Sequence, residues 1–361
     1  MRRGWKIRII FVIVLCIGGV AMLSYQRNYA LRFTKELGAG INLGNSLDVK
    51  KVREHNPEAD ISYFETYWGN PVTTKEMIQA IADKGFETIR IPVSWAEHLD
   101  EQGNVDREWM ERVTEVVDWS LDTGMYVILD IHHEAWLVPT KEQEAQTTKQ
   151  LCSLWKQIAQ QFADRGDHLI FEGMNEPRLI DSAEEWTEGT EEMQQVINRL
   201  NQAFVDTVRA SGGENKTRWL MIPAYCTSSK EEALEALTIP DDSHIMVAVH
   251  AYLPYDFTLK EDGEETWSAK NPDDTKDIDT LQEVLERLFI KKKIPVVITE
   301  FGCHEKEQET CRNEWAAYYT ESMKEIGVPC IWWDNGDESR LFDRESLTWL
   351  HEELTDILLR K

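Results

Sequence analysis

Two glutamates mark positions where the sequence places chemistry. Glu176 lies in "LIFEGMNEPRL" (169–179), between Asn175 and Pro177 at the end of an apolar run, and Glu300 closes a second apolar run in "VVITEFG". Such runs read as buried strands, so each carboxylate sits where a strand opens into its loop. Asn and Pro alone are ordinary turn residues. A second Glu at the end of another strand changes that reading, because paired carboxylates across a pocket are the equipment for glycoside hydrolysis. One must hold a proton for the leaving oxygen, and the other must be ionised to attack the sugar carbon or activate water. Their environments must therefore split their pKa values. Arg90, inside the apolar "TIRIPVSW", needs a buried carboxylate partner and supplies positive charge for the ionised member. Tyr252 is placed to donate a hydrogen bond to it. Asn175 is placed to hold a sugar 2-hydroxyl, a contact that strengthens in the transition state.

Other polar residues gather at the same ends of apolar runs: Asn42 and Asn45, then His132, His133 and Glu134, then His250, and finally Trp332, Trp333 and Asp334. The adjacent histidines lack the H-E-x-x-H spacing, and neighbours on a strand diverge, so one of the two is expected to line a polar pocket and no metal is expected. Fourteen tryptophans offer flat apolar faces on which sugars stack. Trp333, at a strand end beside Asp334, Asn335 and Gly336, is expected to line a cleft; Trp136, Trp68 and Trp95, in or near loops on the same side, are candidates for its wall, with core packing the first expectation for each taken alone.

The elements that must position these residues can be counted. Strand candidates are 38–44, 87–93, 125–131, 168–173, 218–223, 244–250, 294–300 and 329–333. Helical periodicity lies between them: residues 73–85, where Met77, Ile78, Ile81 and Ala82 share a face, Thr73 or Thr74 caps the start and Gly85 stops the helix. Further helices are expected at 106–123, 146–164, 190–211, near 230–237, 276–292, 310–326 and 346–360. Eight strand-helix units predict a (β/α)8 TIM barrel, whose active site lies at the C-terminal ends of the strands. Only the fifth strand, ending near Pro223 and Tyr225, looks chemically quiet.

The 361-residue chain, 42% hydrophobic and without a linker-like tract after residue 30, is expected to form one catalytic domain over 31–361. Its net charge of -26 argues against nucleic acid as a partner and suits a neutral polymer. Arg2, Arg3, Lys6 and Arg8 precede an apolar stretch from Ile9 to Leu23, so residues 1–30 read as a signal peptide or an uncleaved signal anchor, placing the protein at the cell surface or outside the cell. Five cysteines remain beyond Cys16. A Cys303–Cys311 bridge is conceivable outside the cell, but isolated thiols are the expectation. The glycine-rich "GAGINLG" has the wrong spacing for a dinucleotide site. With no coiled-coil or repeat pattern, a monomer is expected.

Seven blocks, "GINLGNSLD", "TIRIPVSW", "ILDIHHE", "LIFEGMNEPR", "VHAYLPY", "VVITEFG" and "CIWWDNG", spread in order from residue 36 to about 350, resemble glycoside hydrolase family 5, in particular its bacterial endoglucanase and xyloglucanase branch. The resemblance implies Glu176 as general acid/base and Glu300 as nucleophile in a retaining double displacement. It implies Arg90, His132, Asn175, His250, Tyr252 and Trp333 as pocket residues, a β-1,4-glucan polysaccharide as substrate, and no cofactor. Asp130 and Glu134 depart from the branch, where Asn and Asp are common, and leave substrate breadth open. A β-mannanase of the same fold and a membrane-tethered protein that binds carbohydrate without cleaving it are the alternatives.

Overall fold

In the computed structural model, which describes residues 28–360, eight parallel strands follow in chain order and close on themselves. They are β1 (Gly40–Leu43), β2 (Thr88–Ile91), β3 (Tyr126–Asp130), β4 (Leu169–Glu172), β5 (Leu220–Ser228), β6 (Ile245–His250), β7 (Val296–Phe301) and β8 (Cys330–Asp334), with β8 paired back onto β1. Alternation along each strand separates two apolar sets. Ile41, Ile89, Leu129 and Phe171 pack outward under the helices, whereas Ile128, Ile170, Met221, Met246, Val297 and Ile331 fill the barrel. One step further towards the C-terminal ends, the buried side chains turn polar: Asn42, Arg90, Asp130, Glu172 and Thr299. The barrel is apolar at one end and ionic at the other, and the ionic end is where loops can build a site.

Eight helices cover the barrel: α1 (Lys75–Lys84), α2 (Arg107–Asp122), α3 (Glu144–Gln161), α4 (Glu191–Ala210), α5 (Glu231–Glu235), α6 (Pro272–Leu288), α7 (Glu309–Glu325) and α8 (Glu352–Leu358). At α1, the Thr74 hydroxyl accepts the Met77 N–H and Gly85 takes φ 114°, a left-handed stop that favours glycine. Helix α6 starts four residues before the expected 276, because Asn271 caps it and Pro272 suits its first turn. The expected helix 346–360 shortens to α8. Phe342–Asp343 pairs antiparallel with Thr348–Trp349, and Asp343 Oδ1 accepts the N–H groups of Glu345 and Ser346 to make the turn.

Residues 28–36 form a helix beneath the apolar end of the barrel. Its Ala30 and Phe33, with Leu37, join the interior cluster, and Phe33 stacks on Trp219 with ring centroids 4.8 Å apart. The apolar stretch from Ile9 to Leu23 lies outside the described residues. Among the described residues no helix is long and apolar enough to cross a membrane, and Cys152, Cys226, Cys303, Cys311 and Cys330 are free thiols.

Candidate active site

Arg90 is the centre of the ionic end. Placed on β2 with its side chain inside the barrel, it is fully buried and uses its whole donor fork. Nε donates to Glu172 Oε2 at 2.7 Å. Nη1 donates to Glu300 Oε1 at 2.6 Å and Asn42 Oδ1 at 3.0 Å. Nη2 donates to Asp130 Oδ2 and Asn175 Oδ1, each at 2.8 Å, and to Glu172 Oε1 at 3.1 Å. Burial disfavours its charge, but Glu172, Asp130 and Glu300 outweigh burial and hold the guanidinium protonated. The carboxylates outnumber it. Burial accordingly pushes the Asp130 carboxyl up to about 6 against the pull of Arg90, and raises Glu172 as well.

Strands β4, β6 and β7 deliver the two glutamates to one point. Glu300 Oε2 accepts from the Tyr252 hydroxyl at 2.9 Å, and His250 lies between the carboxylates, with Nδ1 3.0 Å from Glu176 Oε1 and Nε2 3.5 Å from Glu300 Oε1. Ligand atoms of Glu176, His250 and Glu300 all lie within 4.8 Å of one another. Burial raises the Glu176 carboxyl, but the hydrogen bond and charge of His250, joined by the charge of Arg178, bring it down to about 2. His250 moves the opposite way: burial opposes its charge, yet Glu300 and Glu176 raise it. Both shifts favour the charged pair, with a carboxylate on Glu176 and the proton on the imidazole.

The other expected residues ring this point. His132 Nδ1 lies 2.8 Å from Asp130 Oδ2, and burial followed by the charge of Arg90 lowers it to about 3, so the ring is neutral. Trp333 lies parallel to it with centroids 6.0 Å apart. The Trp333 ring rests over Gly44, where an added Cβ would come within 2.9 Å of it. Half-buried Trp136 donates Nε1 to Glu134 Oε2 at 2.5 Å, and Trp68 meets His133 edge-on at 5.8 Å. Asn45 turns the chain at φ 56°, its N–H on Asp48 Oδ2 at 3.1 Å and its carbonyl taking Asn70 Nδ2 at 2.9 Å.

Two tryptophans go to the core, and two expectations are corrected. Trp95 takes the core place expected of a lone tryptophan: it is fully buried, with Nε1 donating to the Asp130 carbonyl at 3.2 Å. Trp332 also turns away, packing among Phe301 and Trp315 in the outer core. His132 and His133 do not diverge. β3 ends at Asp130, strand alternation lapses beyond it, and the two rings lie 4.5 Å apart. Their ligand atoms and those of Asp48 fall within 4.8 Å, but Asp48 already accepts the Asn45 and Ser46 N–H groups and His132 Nδ1 is engaged by Asp130. The fifth strand is not quiet either. β5 runs on to Ser228 through Cys226 and Thr227 at φ 54° and 49°, and the Thr227 hydroxyl donates to the Asn175 carbonyl, holding the Asn175–Glu176 turn.

One functional contact escaped the sequence reading. Arg178 reaches back from the β4–α4 loop to Glu176 Oε2 at 2.9 Å. A cation two residues beyond a catalytic candidate was a usable signal. Asp48 was invisible by contrast, because its partners are backbone groups.

Known proteins resemble this chain in sequence and in fold. Residues 52–339 match the family model described as Cellulase (glycosyl hydrolase family 5). Endoglucanase A of Clostridium longisporum is 41% identical over 341 residues, which cover 92% of this chain and 65% of that protein. Endoglucanase A of Ruminococcus albus is 41% identical over 343 residues, covering 91% of this chain and 92% of that protein. Among solved structures, a broad-specificity endoglucanase from Ruminococcus champanellensis with bound cellotriose superposes with a TM-score of 0.88 at 38% identity, over 92% of this chain and 98% of that one.

Proposed function

The chain belongs to glycosyl hydrolase family 5, and from that premise we propose that it is a retaining endo-β-1,4-glucanase with Glu300 as nucleophile and Glu176 as acid/base. The observation that carries the reading is proximity: one oxygen of Glu176 and one of Glu300 lie within 4.8 Å of each other, which suits the closer, retaining arrangement. Retention by double displacement uses carboxyls about 5–5.5 Å apart, whereas inversion needs about 6.5–9.5 Å to admit a water between carboxylate and sugar.

Each residue then has a task. Arg90 and Tyr252 fix both oxygens of Glu300 so that the carboxylate faces the anomeric carbon. Sugar filling the cleft removes water from the Glu176–His250 pair, and a drier environment favours neutral partners, so the proton passes from Nδ1 to Glu176 across 3.0 Å. Glu176 gives it to the leaving oxygen as the bond from the anomeric carbon to Glu300 forms. In the second half, Glu176 takes a proton from water while that water displaces Glu300. Asn175 Oδ1 is held by Arg90, which leaves its NH2 group to donate to the sugar 2-hydroxyl. Trp333 offers its face to a sugar ring. His132, Trp136 and Asn45 extend the polar and aromatic lining. These steps call on no metal or organic cofactor.

The endoglucanase relatives and the cellotriose-bound structure support a β-1,4-glucan as substrate, whether cellulose-type, mixed-linkage or xyloglucan. A polymer of that kind is met outside the cell. Together with the basic and then apolar N-terminal stretch, this supports export with the N-terminal segment in the membrane or cleaved.

Azide rescue tests the assignment. On an activated aryl β-glycoside, Glu176→Ala with azide is expected to yield a β-glycosyl azide, and Glu300→Ala an α-glycosyl azide. Reversed anomers would exchange the two roles. Reducing-sugar release from a panel of polysaccharides reports the substrate, and activity on mannan with none on β-glucan would overturn the substrate reading.

A further inference from the structure

Both oxygens of Glu176 are occupied. Oε1 faces His250 Nδ1 at 3.0 Å, and Oε2 accepts from Arg178 Nη1 at 2.9 Å, the same nitrogen lying 3.1 Å from the Glu176 carbonyl oxygen. A carboxyl that hands a proton to a leaving oxygen needs one oxygen unclaimed, because the O–H and an incoming N–H compete for the same space. His250 is held on β6. Arg178 instead belongs to the loop and has a second berth, with Nε donating to Glu185 Oε1 at 3.2 Å and its guanidinium 4.2 Å from the centroid of the exposed Trp186 ring.

That berth is built without help from Glu176. The Tyr225 hydroxyl accepts the Leu179 N–H and donates to the Glu184 carbonyl, both at 3.1 Å, and the Asp181 N–H donates to Glu185 Oε2 at 2.9 Å. Gly189 lies so close to the Tyr225 ring that a Cβ would come within 2.6 Å of it. Glu185 and Trp186 are thus positioned whether or not Arg178 touches Glu176.

We propose that Arg178 is a positioning residue for proton transfer: it holds Oε2 while Glu176 rests as a carboxylate, and withdraws onto Glu185 and Trp186 when a leaving group occupies that side of the cleft. The inference rests on Glu176 being the acid/base. In the first half-reaction the glycosidic bond breaks, the bond to Glu300 forms, and the Glu176 proton goes to the leaving oxygen; a guanidinium on Oε2 opposes the protonation of Glu176 that must come first and fills the space beside that oxygen. In the second half-reaction water attacks, the bond to Glu300 breaks, and the water proton goes to Glu176, an uptake that a guanidinium on Oε2 also opposes, so Arg178 returns only after that proton has left. Other charged or titratable groups facing Glu176 are His250 and, beyond it, Tyr252 from β6, Glu300 from β7, His132 and His133 beyond β3, Lys50 after β1 and Cys226 on β5. Among the described residues, only His250 and Arg178 reach its carboxylate with a hydrogen bond.

The test is the pH profile of kcat/KM for the full chain, Arg178→Gln and Arg178→Lys on phenyl β-cellobioside, which needs acid help, and on 2,4-dinitrophenyl β-cellobioside, which does not. Arg178→Gln is expected to move the alkaline limb up by about one pH unit on the phenyl substrate only, and to leave kcat on the dinitrophenyl substrate, where the base step limits, undiminished. Arg178→Lys, retaining the charge, should keep the limb where the unsubstituted chain has it. Equal losses on both substrates with an unmoved limb would reduce Arg178 to a structural residue and overturn the proposal while leaving the enzyme reading intact. A full chain that cleaves neither aryl glycoside nor any β-glucan would overturn both.

Discussion

Glu134 shows how a buried carboxyl beside this site makes the stability of the fold depend on pH. It accepts the Trp95 N–H at 2.6 Å and Trp136 Nε1 at 2.5 Å, yet burial outweighs both and pushes its carboxyl up to about 8. An acid whose folded pKa lies above its unfolded value binds more protons when folded, so it loses stability as pH rises from the unfolded to the folded pKa. Asp48, pushed up to about 7 mainly by burial, acts in the same direction, as does His250, raised by its two carboxylates against burial. His98 and His132, both lowered to about 3 by burial, act oppositely, but their effect is complete once pH exceeds the unfolded histidine value of about 6.5. Between pH 6.5 and 8 the first group therefore acts unopposed by these histidines. We expect urea denaturation of the unsubstituted protein to give an unfolding free energy that falls across this window, with Glu134→Gln lessening the fall by roughly 2 kcal/mol, one proton over 1.5 pH units. An unchanged slope in the variant would mean that Glu134 is ionised throughout. At this scale the sequence was most legible where a residue contradicted its surroundings: Arg90 in an apolar strand announced buried carboxylates, and Asp130, Glu172 and Glu300 are there. Arg178 and Asp48 contradicted nothing around them.

Strands and helices were legible because their periodicities are enforced by burial on known faces, and the failures fall where that enforcement stops. β3 ends at Asp130, so no alternation governs His132 and His133. β5 carries a register shift between Pro223 and Ser228, which no hydrophobic pattern encodes and which places Thr227 beneath Asn175. The hairpin at Phe342–Asp343 and Thr348–Trp349 depends on Asp343 side-chain hydrogen bonds and on Trp349 packing against Phe86 and Phe342, a tertiary choice that overrides helical periodicity. The β1 loop has the same character. Gly44 donates its N–H to the Asp334 carbonyl at 2.9 Å, binding the end of β1 to the end of β8 and bringing its α-carbon under the Trp333 ring. A Cβ there would lie 2.9 Å from the ring and 3.0 Å from the Asp334 carbonyl oxygen, so the ring is what must shift. Gly44→Ala is expected to lower kcat/KM on cello-oligosaccharides on the order of tenfold, chiefly through KM, while azide rescue of Glu300→Ala in the same background still gives the α-azide. A variant with unaltered KM would show that Trp333 does not carry a sugar.

At the scale of the whole molecule, the chain approaches the barrel from the end opposite the candidate site. The helix over residues 28–36 lies under the apolar end, and the carboxylates lie beyond the ionic end, so whatever precedes residue 28 joins on the side away from the cleft. This polarity lets an N-terminal membrane segment, if retained, hold the protein while the cleft stays open to a polymer. It also makes the helix part of the barrel's core. Phe33 is stacked between Trp219 and the edge of Tyr126, Leu37 is fully buried, and Thr88 donates its hydroxyl to the Leu37 carbonyl at 2.5 Å. Burying two large apolar side chains contributes about 3–6 kcal/mol, and removing the helix would also expose Trp219 and the inward-facing residues of β3 to β8. Two truncations separate anchor from plug. A chain starting at residue 28 should keep a single cooperative thermal transition and full activity on soluble β-glucan. One starting at residue 38 should lose most of its stability, shown by a strongly lowered Tm or by insoluble protein, although every proposed catalytic residue is still present. If the shorter chain melted at the same temperature as the longer one, the helix would be an appendage, and the orientation argued from it would have no structural basis.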